Sequence, residues 1–184
     1  MKRWSILFCG LIFLSNVNAQ EVARVLRCPL ARDGTKSIEI LTGHPIAGTY
    51  LYYLKRNKES PVPVYSGDED QSRGEGVKYE CAGSAEHVFV ISGEFTSNYI
   101  QGVAIRYNVY AKEWERIDFS ERARPTRIYL GRSGVLVVIP NLGNETSKKY
   151  IIYRYAADSG QTFEPAASNE MPEGNRNEVV FLKK

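Results

Sequence analysis

Apolar residues in this chain fall in short runs, rich in β-branched and aromatic side chains, and each run stops at Gly, Pro, Asn, Asp or Ser. Helical spacing is scarce, so the pattern predicts strands joined by turns. The predicted strands are Val22–Arg27, Ser37–Leu41, Thr49–Lys55, Val62–Tyr65, Val77–Cys81, His87–Ser92 and Val103–Tyr110, followed by Trp114–Phe119, Thr126–Leu130, Val135–Ile139, Lys149–Tyr155, Gln161–Glu164 and Glu178–Leu182. Turn signals such as Gly131-Arg132-Ser133-Gly134 and Asp158-Ser159-Gly160 separate them. Many short strands at even spacing predict an all-β domain with antiparallel pairing.

Alternation inside the runs assigns faces. In "GVAIRYNVY", Val103, Ile105, Tyr107 and Val109 share one face, the better core candidate, while Ala104, Arg106, Asn108 and Tyr110 share the other. "VFVI" (Val88–Ile91) and "VLVVI" (Val135–Ile139) are apolar on both faces and predict strands covered on both sides. Shifting the chain by 48 positions lays Val88 on Leu136's neighbourhood, "VFVI" on "LVVI", and Ile105-Arg106-Tyr107 on Tyr153-Arg154-Tyr155 (136 − 88 = 48). A weaker copy lies upstream, where "TYLYYLKR" is similar to "KYIIYRYA". Such a period suits blade-like hairpins, arranged as a partial propeller, a β-sandwich or a trefoil-like fold.

The first residues, "MKRWSILFCGLIFLSNVNA", have the layout of an export signal: Lys2 and Arg3, an apolar run from Ile6 to Leu14, and a small-residue site ending at Ala19. The expected product is a single all-β domain over 20–184, 165 of the 184 residues (184 − 19), in the periplasm or outside the cell. Loss of Lys2 and Arg3 lowers the net charge from +3 to +1, which argues against nucleic acid as a partner. The apolar run is too short to span a bilayer, so no membrane insertion is expected. Cys9 departs with the signal, leaving Cys28 and Cys81, and in an oxidising compartment these are expected to form a disulfide. A bridge closing a loop of about 50 residues contributes ~4 kcal/mol in the chain-entropy description.

Candidate chemistry is sparse. His44 precedes Pro45 in a Gly-containing turn, His87 opens an apolar strand, and no G-x-S-x-G occurs. Metal-ligand spacing is absent among Cys28, Cys81, His44 and His87. Asp68-Glu69-Asp70 concentrates oxygen ligands, which makes calcium an alternative to a solvated mobile loop, but the spacing follows no known calcium loop. The expectation is no catalytic residue, no metal and no cofactor, hence a protein that is not an enzyme.

One octet, Ala156-Ala157-Asp158-Ser159-Gly160-Gln161-Thr162-Phe163, resembles an Asp box, the S-x-D-x-G-x-T-W hairpin of BNR-type propellers such as sialidases and sortilins. Asp158, Gly160 and Thr162 match, Ala156 replaces Ser or Thr, and Phe163 replaces Trp. The resemblance implies a structural turn, with Asp158 accepting backbone N–H bonds, Gly160 at positive φ and Phe163 packed back on the hairpin. In that family the motif lies away from the active site, so no sialidase activity is implied.

Tyrosines and arginines crowd the predicted hairpins. Arg106, Tyr110, Trp114, Tyr153, Arg154 and Tyr155 are the candidate partner-binding residues, because such side chains supply large area with a polar tip and anchor protein interfaces. The alternative for each ring is cross-strand packing. A chain with this build is similar to periplasmic immunity proteins of type VI secretion toxins. That resemblance implies a binding protein that occludes a secreted or periplasmic toxin, or a wall or lipid hydrolase. The alternatives are a glycan- or envelope-binding module and a hydrolase of unrecognised type.

Overall fold

The structure is a computed structural model, described for residues 22–143, 146–173 and 178–183. The expected export signal, 1–19, lies outside the described residues. The chain forms three consecutive antiparallel meanders. The first contains β1 (Ala23–Pro29), β2 (Ser37–Thr42), β3 (Tyr50–Arg56) and the short β4 (Val62–Pro63). The second contains β5 (Arg73–Ala82), β6 (Val88–Glu94), β7 (Ile100–Asn108) and β8 (Glu113–Glu121). The third contains β9 (Arg127–Gly131), β10 (Gly134–Pro140), β11 (Tyr150–Ala156) and β12 (Gln161–Ser168), and β13 (Glu178–Phe181) adds to it beside β9. Each run predicted as a strand is one here. The prediction overshoots by two residues at Val64–Tyr65 and at Val109–Tyr110; the Val64 N–H still bonds to the Tyr52 carbonyl of β3 at 3.1 Å, and the Ser72 hydroxyl then takes the Tyr65 N–H at 2.9 Å.

The first two meanders join into one sheet, ordered β1-β2-β3-β5-β6-β7-β8 with β4 on the side of β3. The joint is a short ladder, Tyr50 with Gly74 and Leu51 with Arg73. In a flat sheet, β1 and β5 would lie three strand spacings apart, ~14 Å. Instead the Cα atoms of Cys28 on β1 and Cys81 on β5 are 5.3 Å apart, and their sulfurs are bonded. The sheet therefore folds back at the β3–β5 joint, and the predicted disulfide closes the fold at the far end.

Folding back creates two cores on either side of the second meander. Phe89, Ile91, Val103 and Ile105 pack against Ile38, Ile40 and Leu54 of the first. Val88, Val90, Ala104 and Ile117 pack against Ile128, Val135 and Val137 of the third. Strict alternation along β6 thus feeds two cores, which is why "VFVI" carries no polar residue. The architecture is a face-to-face stack and not a closed barrel, with β12 and β13 as the edges of the five-stranded sheet. Within this stack β6 and β10 are each the second strand of a meander and β7 and β11 each the third, so the 48-residue offset steps from one meander to the next.

The reading of β7 as one core face and one outer face needs correction. Both faces are covered: Arg106 is 1% exposed and Asn108 is fully buried, whereas Val109 on the expected core face is 43% exposed. The third meander covers the Arg106 face, and its turn carbonyls supply acceptors that a sequence pattern does not reveal.

Candidate partner-binding site

The six residues expected to grip a partner do not form one surface. Arg106 is the largest of the fully buried side chains. Its Nε donates to Glu115 Oε2 at 2.5 Å, one Nη donates to the Gly131 carbonyl, and the other meets Glu86 Oε2 at 3.3 Å. Asn108 Nδ2 donates to Glu115 Oε1 at 2.7 Å and to the Arg132 carbonyl at 3.0 Å. This network ties β7 and β8 to the β9–β10 turn; it is a structural joint and not a contact surface. Tyr153 is also buried: its hydroxyl donates to Glu121 at 2.8 Å, and burial, reinforced by that carboxylate, pushes its pKa up. Trp114 is half-buried, edge-on to Tyr107 and beneath the Arg56 guanidinium. Tyr155 packs against the inter-sheet core, and burial ahead of Glu113 and Glu115 raises its pKa. Arg154 is exposed, but it lies on the outer side of the β11–β12 hairpin, opposite Phe163.

That leaves Tyr110, 55% exposed at the tip of the β7–β8 hairpin. The tip is shaped from inside the protein. Asn108 Oδ1 accepts the N–H groups of Tyr110 at 3.0 Å and Ala111 at 3.2 Å, and Lys112 takes the left-handed conformation at φ 57°. Because the Asn108 amide is anchored to Glu115, the buried joint fixes the turn that carries Tyr110. Across from it, the Arg132 guanidinium lies 4.5 Å from the Tyr110 ring centre, a cation–π arrangement.

Two further loops complete this end of the molecule, the 30–36 connection and the 83–87 connection, which with 109–112 frame a concavity of about 590 Å³. Arg32 Nε donates to the Ala85 carbonyl at 3.2 Å and ties the first two loops together. Lys36 Nζ sits 4.9 Å above the Tyr107 ring. Asp33 is turned to its own loop, where the Thr35 N–H and hydroxyl hold its carboxyl below the usual range. Glu86 faces Arg106. The outward charge at this end comes from Arg32, Lys36, Lys112 and Arg132, against the exposed and ionised Asp33, around Tyr110 and Val109.

The other sequence features resolve locally. The Asp68 carboxylate accepts the Asp70 N–H at 3.2 Å and caps a short 3-10 turn over Glu69–Ser72, Asp70 pairs with Arg73 at 3.1 Å, and Glu69 accepts the Tyr53 hydroxyl. The acidic run is thus a capped turn rather than a loop without contacts. His44 is exposed in the 43–49 loop and His87 is part-buried beside Glu86. Among the described residues no group of three His, Cys, Asp or Glu is placed to hold a metal ion. In the Asp-box-like octet, Gly160 has φ +63° and its N–H bonds to the Ala156 carbonyl at 2.9 Å. The main chain closes this turn; Asp158 accepts no bond among the described residues, and Phe163 is 48% exposed rather than packed on the hairpin. Thr162 is exposed and donates to the Arg116 carbonyl at 3.3 Å.

No family model, curated protein or solved structure matches this chain. The geometry of the Tyr110 end is therefore what a functional reading has to stand on. Arg132, Lys36, Arg32 and Lys112 were not singled out from the sequence. The Gly131–Gly134 and Tyr110–Lys112 turns are both legible there as turns, but nothing in the pattern makes them neighbours.

Proposed function

We propose that this chain is an exported binding protein that occludes a protein partner with its Tyr110 end, in the manner of an immunity or inhibitor protein against a toxin or hydrolase acting in the periplasm. The observation that carries the reading is an exposed Tyr110 and Val109 on a hairpin tip whose turn is held by the buried Asn108, with Lys112 and Arg132 beside it and Arg32 and Lys36 on the neighbouring loop. Tyrosine and arginine together give contact area, a polar tip and modest entropy loss, and a tip already fixed from below loses little further freedom on binding. Positive charge at the same end favours an acidic partner surface and speeds encounter.

A glycan- or envelope-binding module is the second reading, since exposed aromatic rings stack on sugars. The Arg132 guanidinium already covers one face of the Tyr110 ring, which halves the platform such stacking needs. Cell protection separates the two. Cells expressing the protein should survive a periplasmically directed toxin of the cognate type, and a Tyr110→Ala, Lys112→Glu variant with an unchanged unfolding midpoint should lose that protection. Binding to purified peptidoglycan with no protein present would favour the glycan reading instead.

A further inference from the structure

Away from the Tyr110 end, a groove of about 330 Å³ opens between β5 of the first sheet and the 124–125 and 182–183 segments that flank the second. Val77, Tyr79, Val90, Pro125 and Leu182 give it an apolar side. Val90 and Leu182 also belong to the inter-sheet core, so the groove is that core's mouth. Its size falls at the lower end of ligand sites, ~300–1,000 Å³.

Arg124 lies in the wall. Its Nη1 donates to the Ser92 carbonyl and, at 2.7 Å, to the Ser92 hydroxyl, and its Nη2 donates to the Gly76 carbonyl at 2.6 Å. All three acceptors are neutral. The guanidinium has no carboxylate within ion-pair distance among the described residues, and its Nε–H has no acceptor there. The Nε side of a guanidinium is one that engages carboxylates, and here Nε is free to donate. Arg124 is half-buried at the groove, and burial lowers its pKa with the Glu94 charge opposing. Lys78 and Lys183 line the same groove, against Glu80 as its one carboxylate, whose Oε2 lies 3.5 Å from the Lys183 N–H. Arg124, Lys78 and Lys183 outnumber Glu80 and the nearby Glu94, and a net positive charge beside an apolar wall selects an amphipathic anion.

We infer that this groove binds a single-chain alkyl carboxylate, the chain lying against Val77, Val90 and Leu182 and the carboxylate on the Arg124 edge. The site is separate from the Tyr110 end and does not depend on the function proposed for it. Isothermal titration of the purified protein with decanoate, below its micelle concentration, should give saturable one-site binding, and decanol, with the same tail and no charge, should bind at least tenfold more weakly. Leu182→Trp, which fills the groove from a part-buried position, should abolish binding with the unfolding midpoint retained. Arg124→Gln should weaken decanoate at least tenfold; because it also removes contacts to Gly76 and Ser92, Lys78→Glu provides an exposed-site control expected to weaken decanoate and spare decanol. Non-saturable heats, equal affinity for decanol and decanoate, or wild-type affinity in Leu182→Trp would each overturn the assignment.

Discussion

Replacing Glu115 with Met should destabilise the protein severely, and replacing Arg106 with Met at the same time should restore much of the loss. Glu115 is fully buried and Arg106 is 1% exposed, so either single change takes the nearest counter-charge from a group held away from water. In Glu115→Met the guanidinium keeps Glu86 at 3.3 Å and the Gly131 carbonyl, but Asn108 loses its 2.7 Å acceptor. In Arg106→Met the carboxylate keeps Asn108 alone. Breaking a buried pair from one side costs ~3–5 kcal/mol, because the surviving ion stays desolvated. The double variant removes both ions and leaves mainly the Gly131 carbonyl unpaired, a penalty of ~1–3 kcal/mol. The singles would thus sum to ~6–10 kcal/mol, well beyond the double, and the difference is the coupling. Urea unfolding followed by far-UV circular dichroism reads this out, with the midpoint shifting and the slope unchanged. Singles costing under ~1 kcal/mol, or a double equal to their sum, would refute the picture of a desolvated joint between the sheets.

Four further outcomes follow from the same geometry. Cys28→Ser with Cys81→Ser, or reduction of the bridge, should lower unfolding free energy by up to ~4 kcal/mol in the chain-entropy description, measured by urea denaturation with and without reductant. Phe89→Ala, in the core between the first two meanders, should cost ~3–5 kcal/mol, while Phe163→Ala on the exposed side of the last hairpin should cost little in the same assay. Tyr53, buried and donating to Glu69, has its pKa pushed up to about 12, from burial first and the Glu69 bond second. A raised tyrosine pKa means that the folded state holds the proton more tightly, so this stability is complete below the ordinary value near 10 and is lost as pH rises toward 12; tyrosinate absorbance alongside urea midpoints across that window tests it. Tyr110→Ala should leave the urea midpoint nearly unchanged yet lower partner affinity at least tenfold by surface plasmon resonance.

The strands were legible because turn residues punctuate them and because alternation survives in most. "VFVI" announced a strand covered on both faces, and Val88 to Ile91 do feed two cores. The disulfide was legible from the cysteine count and the expectation of export, although the fold-back that makes it possible was not. Arg106 was misassigned for a definable reason: a charged residue on an alternating strand reads as solvent-facing unless its partner is visible. The partner was within reach of a register argument. Pairing Tyr107 with Trp114 across the Tyr110–Lys112 turn sets Arg106 beside Glu115, two opposite charges facing one another. What covers that pair, the Gly131-Arg132 turn, comes from another sheet, and no local pattern carries it. The same holds for the Arg132–Tyr110 contact, which depends on how two meanders stack.

Affinity capture from secreted and envelope fractions, run in parallel with the wild-type protein and a Tyr110→Ala, Arg132→Ala variant of equal unfolding midpoint, tests the central claim most directly. Wild type should retain a protein whose activity it blocks, and the variant should lose both the retention and the inhibition. Identical retention and inhibition by the two forms would contradict the account.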